Sequence, residues 1–225
     1  MNFAQKYNDI AGEIQSICHN QNHVSMPVII AVSKYHPYET VKMALEQGIR
    51  IFGESKIQEG IEKFSRLRQA GFSFELHHIG PLQRGNARKI PGFFDYVHGA
   101  QSAGAIEELA RHCLNKQQLV RIFLQLNLTG EEAKNGMSKQ QCLDLLQNRQ
   151  AYENDFCQIS GLMAMGPSNG DPALTTAVFR ELAAIRDSSF ISGKLSMGMS
   201  GDYRSAVAAG SDYIRIGTAI FGERT

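Results

Sequence analysis

Two segments in the last third of the chain carry residue types that bind an anion. Leu195-Ser196-Met197-Gly198-Met199-Ser200-Gly201-Asp202 and Tyr213-Ile214-Arg215-Ile216-Gly217-Thr218-Ala219-Ile220-Phe221-Gly222 each run from an apolar, strand-like piece into a turn of small residues. Small residues let backbone N–H groups close on an anion, Ser200 and Thr218 add hydroxyls, and a helix start adds the positive end of its dipole. Two such turns near the end of an alternating β/α chain make a phosphate cup. Lys34 closes the opposite end, in Val28-Ile29-Ile30-Ala31-Val32-Ser33-Lys34-Tyr35-His36-Pro37. The apolar run reads as a strand buried on both faces, and Pro37 suits the start of a helix. Ile30, Val32 and Lys34 share one face by the two-residue period. Lys34 is either a solvated lysine at a strand end or an amine among apolar neighbours. Desolvation favours the neutral form of a lysine, and a neutral amine attacks an aldehyde to give a Schiff base. The phosphate cup favours this second reading.

Arg215 lies two residues before Gly217 and faces the same side. A permanently charged guanidinium inside a barrel needs a partner. That partner is a buried carboxylate or, functionally, the nitrogen of a heteroaromatic ring. Pyridoxal 5′-phosphate joins the three observations: an aldehyde for Lys34, a phosphate for the cup and a pyridine nitrogen for Arg215. An arginine at that nitrogen keeps it unprotonated and weakens the ring as an electron sink. Chemistry that needs a long-lived carbanion is disfavoured.

The elements that must position these residues alternate along the chain. Apolar periodicity predicts strands near 28–33, 49–52, 73–79, 93–97, 119–127, 157–163, 193–195 and 212–216, and helices near 38–47, 55–70, 84–89, 102–116, 138–149, 172–187 and 201–209. Residues 3–19 read as an extra amphipathic helix through Phe3, Tyr7, Ile10, Ile14 and Ile17. The pattern is that of an α/β, single-domain (β/α)8 TIM-like barrel over residues 1–225, with a doubly wound open sheet as the alternative. Distinctive residues should then follow the strands: Ser55, His78 to Gln83, Asn127 to Gly130, Met163 to Pro167, and Ser196 to Ser200. Gln125 and Asn127 share a face with Phe123. They either form a polar layer in the barrel or bond to a cofactor's periphery. Met163 either packs or lies against a cofactor ring. Tyr35, His36 and His78 are weak proton donors, with Tyr35 and His36 at the loop rim. His77 and His78 point to opposite faces of a strand and cannot chelate together.

Composition sets the class. A net charge of +1 in 225 residues argues against a protein built for nucleic acid or acidic membranes. No apolar run is long enough to span a bilayer, and the N-terminus lacks an apolar signal core. Cys18, Cys113, Cys142 and Cys157 are scattered without a C-x-x-C, so a reducing cytoplasm is the simplest setting.

With these residues assembled, the chain resembles the pyridoxal phosphate homeostasis protein family, itself similar to the barrel domain of alanine racemases. The resemblance covers nearly the whole chain. It rests on Ala31 to Lys34, Phe52-Gly53-Glu54, Gln58-Glu59, His78 to Gln83, Gly161 to Ala164, Leu195 to Asp202 and Arg215 to Gly222. It implies cofactor binding through Lys34, phosphate contacts near Ser200, Gly217 and Thr218, and Arg215 at the ring nitrogen. It also implies a role in vitamin B6 and amino-acid homeostasis. The family usually has asparagine after Phe-Gly-Glu, where this chain has Ser55. The expected cofactor-binding set is Lys34, Ser55, Asn127, Met163, Met199, Ser200, Arg215, Gly217 and Thr218, with no catalytic and no metal-ligating residue. The expected partners are pyridoxal phosphate and the apoenzymes that receive it, around a monomer.

Two other functions use the same lysine. An amino-acid racemase needs an acid/base group on each face of the substrate and, in this type, a second β-rich domain; the sequence offers no convincing second base. A class I aldolase acting on a phosphorylated sugar would leave Arg215 unexplained.

Overall fold

The computed structural model describes residues 2–21, 25–131 and 133–223. Eight strands form a closed barrel in sequence order: β1 (Val28–Val32), β2 (Ile51–Glu54), β3 (Glu75–Pro81), β4 (Tyr96–Ala100), β5 (Val120–Gln125), β6 (Cys157–Met163), β7 (Lys194–Met199) and β8 (Tyr213–Ile216). Every neighbouring pair is parallel, and β8 returns to β1 with Ile30 opposite Arg215. Around it run α1 (Phe3–Asn20), α2 (Tyr38–Glu46), α3 (Ile57–Gln69), α4 (Ala103–Lys116), α5 (Lys139–Gln147), α6 (Pro172–Ser189), α7 (Tyr203–Ala208) and α8 (Thr218–Phe221). The expected (β/α)8 architecture is present, and the open sheet is excluded because the sheet has no edge.

Local chemistry explains the boundaries. Pro172 opens α6 behind an Asp171 side chain that accepts from the Leu174 N–H, and Ser138 with Gln141 makes a capping box on α5. The β3–β4 connection is a 3-10 turn over Arg84–Lys89, the span where the sequence suggests a helix. The apolar Phe93 and Phe94 precede β4 instead of starting it; Phe94 packs outside the barrel, edge-on against His78. The outer core between sheet and helices holds residues such as Ile29, Ala31, Phe52, Leu76, Ile122, Leu124, Leu195 and Ile214. Ile30, Val32, Phe123, Met163 and Arg215 are equally buried but stand apart from that cluster, on the alternate, inward face. Phe3 of α1 meets the Phe221 ring at 5.4 Å, so the N-terminal helix covers the flank of the β8 loop.

Two details correct the sequence reading. Ser196 to Met199 belong to β7, where a turn was expected. The strand continues through a register shift between Ser196 and Met199, opposite β8. Gly198 enables it with φ +95°, and a Cβ there would lie 2.6 Å from Ala206 Cβ. His78 also lies within β3, with its ring between sheet and helices. The scattered cysteines are all buried and unbridged, and the fold brings Cys113 and Cys157 into contact; the hydrogen bond to Cys113 and burial raise the pKa of the Cys157 thiol. No helix among the described residues is long and apolar enough to cross a membrane.

Candidate functional site

The C-terminal ends of the strands gather the distinctive residues, as a parallel barrel requires. The loops after β7 and β8 meet there. The Ser200 hydroxyl accepts from the Gly217 N–H at 3.3 Å and the Ala219 N–H at 3.5 Å. Two backbone donors thus converge on one small oxygen, beside an exposed Thr218. A Cβ on Gly217 would meet only ordinary contacts with Val32, 3.6 Å away, so Gly217 packs beside the end of β1 without crowding it. Ala219 is a donor that the sequence reading missed, because a backbone N–H has no signature in residue type.

Lys34 is half-buried, two residues beyond the last residue of β1. The next residue, Tyr35, has φ 68°, a left-handed conformation that disfavours a side chain of this size. The turn is held from outside the barrel. The Tyr35 N–H donates to Glu59 Oε1 at 3.1 Å, and Lys63 Nζ donates to the Ser33 carbonyl at 3.1 Å and to Glu54 Oε1 at 2.8 Å. Ser33 Oγ donates to the same carboxylate oxygen at 2.7 Å. Burial raises the Glu54 pKa, and the charge and hydrogen bond of Lys63 only partly oppose it. Tyr35 is exposed at the rim as expected, whereas His36 is buried with its ring 5.0 Å from Phe221. The Glu59-x-x-x-Lys63 spacing on α3 was the available signal for this clamp, and the sequence reading did not use it.

Arg215 is buried inside the barrel, below the cup, with 5% exposure. Its Nη1 donates to Ser196 Oγ at 2.6 Å and its Nη2 to the Ala164 carbonyl at 3.3 Å. Among the described residues it forms no ion pair, so the buried-carboxylate alternative is not realised. Burial lowers its pKa to about 10, against a weak opposing pull from Asp202. A cation kept in the core on neutral partners suits a ligand that presents a lone pair.

The remaining predicted residues divide. Met163 is buried on the inward face, with Gln125 and Ser196 as its strand neighbours. Met199 lies opposite Arg215 and is 40% exposed at the mouth. Ser55 is half-buried just past β2, where its carbonyl lies 2.3 Å from the position a Cβ on Gly80 would take. Asn127 is turned to its own loop. Its Nδ2 donates to the carbonyls of Glu131 and Lys134, and its Oδ1 accepts from Thr129. Gln125 likewise donates to the Asn135 carbonyl. The alternation on β5 placed these amides correctly but could not show that their donors are taken up within the loop. No cluster of three or more His, Cys, Asp or Glu side chains among the described residues could hold a metal ion.

His78 carries a pH consequence. Burial lowers its pKa to about 4, and backbone groups of Pro81 and Glu54 only partly oppose this. The native state therefore binds fewer protons than the unfolded chain below the usual histidine pKa. Stability is full above about pH 6.5 and falls on acidification, by about 2 kcal/mol at pH 5 from this residue. Urea denaturation at pH 7 and pH 5 should show that loss in the wild type and a smaller one in His78→Leu.

Comparisons with known proteins show the family and the fold. The family model "Alanine racemase, N-terminal domain" matches residues 11–225. A pyridoxal phosphate homeostasis protein of Haemophilus influenzae is 31% identical over 231 residues, covering 100% of this chain and 97% of the relative. PipY of Synechococcus elongatus PCC7942 is 30% identical; without PLP it matches with a TM-score of 0.85, over 98% of this chain and 100% of PipY. With PLP bound, PipY matches at 0.78, over 93% and 100%. An alanine racemase of Clostridium difficile 630 shares the fold at a TM-score of 0.68 and 12% identity, over 93% of this chain and 56% of the racemase. The family model over residues 11–225 and the full-length sequence match place this chain in the pyridoxal phosphate homeostasis protein family.

Proposed function

We propose that this barrel is one binding domain that holds pyridoxal 5′-phosphate at its C-terminal mouth, in vitamin B6 and amino-acid homeostasis. The observation that carries the reading is the convergence of the Gly217 and Ala219 N–H groups on Ser200 Oγ. They form a cup above a buried guanidinium and next to the β1 end that bears Lys34. The donor set fits the group: backbone N–H groups and a hydroxyl for a phosphate, an amine for an aldehyde, and a guanidinium for a pyridine nitrogen. When bound, the group supplies an aldehyde able to condense with an amine.

The residues of the chain then bind and orient. The cup fixes the phosphate, the Glu54–Lys63–Glu59 clamp fixes the turn that carries Lys34, and Arg215 keeps a positive charge at the ring nitrogen. Arg215 there would disfavour protonation of that nitrogen and so weaken carbanion chemistry, and the reading is of a carrier without robust turnover. Its natural setting is the cytoplasm, as a monomer that passes the cofactor to apoenzymes.

Affinity should depend on the phosphate. Titration followed by visible absorbance should show pyridoxal binding far more weakly than its phosphate. Ser200→Ala should weaken binding roughly tenfold, about 1–2 kcal/mol for a charged hydrogen bond. Equal affinity for the two vitamers would overturn the assignment.

A further inference from the structure

A single hydrogen-bonded chain of side chains runs through the barrel from its N-terminal mouth to Arg215. Glu75 Oε1 lies 2.7 Å from His77 Nε2, His77 Nδ1 lies 2.8 Å from His98 Nε2, and His98 Nδ1 lies 2.7 Å from Ser196 Oγ. Ser196 Oγ accepts from Arg215 Nη1 at 2.6 Å. His77, His98 and Ser196 are fully buried, and only Glu75, at the start of β3, reaches solvent, with its side chain 38% exposed.

With both rings neutral, the acceptor at the Glu75 end fixes the protons along the chain. The Glu75 carboxylate only accepts, so His77 carries its proton on Nε2 and donates to it. Neutral His77 then accepts at Nδ1 from His98 Nε2–H, and neutral His98 accepts at Nδ1 from the Ser196 hydroxyl. Ser196 Oγ in turn accepts from Arg215, whose guanidinium only donates. Burial holds both imidazoles below the usual histidine pKa, and each lies next to the other's ring, so neutral rings are the consistent state. Ring planes are set by stacking: His77 on Tyr96 at 4.4 Å and 10°, His98 on Phe123 at 4.5 Å and 10°. A cation at one end and an anion at the other polarise the chain in one direction.

We infer that Ser196, His98, His77 and Glu75 are positioning residues that orient Arg215 toward the ring nitrogen of the bound cofactor, from the far mouth of the barrel. The consequence for the cofactor rests on the function proposed above; the orientation of the chain does not, and the test separates the two. In the cofactor-free protein, nitrogen-15 NMR at pH 7 should show His77 and His98 both neutral with the proton on Nε2. A proton on Nδ1 of either ring, or an imidazolium, overturns the inference whether or not the protein binds pyridoxal phosphate.

The second arm uses His77→Phe, which keeps a ring against Tyr96 and touches neither Ser196 nor Arg215, and Glu75→Leu at the exposed end, where folding is least at risk. Each should shift the Arg215 side-chain N–H resonances of the cofactor-free protein. With pyridoxal phosphate bound, each should move the visible absorption maximum and weaken binding by roughly five- to tenfold, a fraction of one charged hydrogen bond. Glu75→Gln retains an acceptor and should restore most of the affinity. Leu124→Val disturbs packing on the outer face of the barrel, away from the chain, and should leave the absorption maximum in place. Arg215 resonances unmoved in Glu75→Leu, or an equal spectral shift in Leu124→Val, would show ordinary core packing and overturn the inference.

Discussion

Lys34→Ala is expected to abolish covalent retention of pyridoxal phosphate and its yellow absorbance, while leaving the barrel folded. Lys34 lies past the last residue of β1 and outside the barrel's buried apolar core, so its loss should change stability by about 1 kcal/mol or less. Borohydride reduction of the loaded wild type, followed by peptide mapping, should place the label on Lys34. A label found chiefly on Lys56 or Lys134 would sink the assignment. Lys134 is a demanding control because it also stands at the C-terminal face, but its amine is engaged with the Gly166 carbonyl and with Glu131 at 2.9 Å. Retention of non-covalently bound phosphate ester by Lys34→Ala is compatible with the reading, since the cup and Arg215 are intact.

The second large effect is expected from Lys63→Met. The Lys63–Glu54 pair has 7% and 0% side-chain exposure, and Glu54 Oε2 has no partner of its own. Removing the cation leaves a carboxyl in the core with only Ser33 Oγ to stabilise its ionised form, a loss of about 3–5 kcal/mol. The sign of the pH dependence follows from the raised Glu54 pKa. A carboxyl whose native pKa lies above its unfolded value contributes stability that is present at low pH and lost as pH rises through the native value. Without Lys63 that value rises further. The deficit of Lys63→Met against the wild type should therefore be widest near pH 8 and narrow toward pH 5, as read from denaturant midpoints. Glu54→Gln in the Lys63→Met background should recover most of the loss at pH 8. A deficit independent of pH would show that Lys63 acts by packing its stem rather than by pairing. Because the same amine holds the Ser33 carbonyl, the single variant should also loosen the turn that carries Lys34 and weaken cofactor retention.

Much of this protein was determined by the order of residue types along the chain. All eight strands were visible as short, largely apolar runs between helical stretches, as were most of the helices. The candidate anion cup was proposed from small residues after two strands, Arg215 from a charge inside an apolar strand, and Lys34 from an amine just past the end of one. Tertiary structure alone decided what those groups meet. Ser196 reads as part of a Gly- and Met-rich turn, yet a bulge at Gly198 keeps it in β7 and turns its hydroxyl onto Arg215. Glu75, His77 and His98 lie on two different strands, and only the closure of the barrel places them end to end with Ser196 of a third. Asn127 has the right parity for the mouth, but its amide bonds its own loop. In each case strand parity gives the face a side chain occupies, while hydrogen-bond partners come from neighbours that are distant in sequence and adjacent only once the barrel has closed.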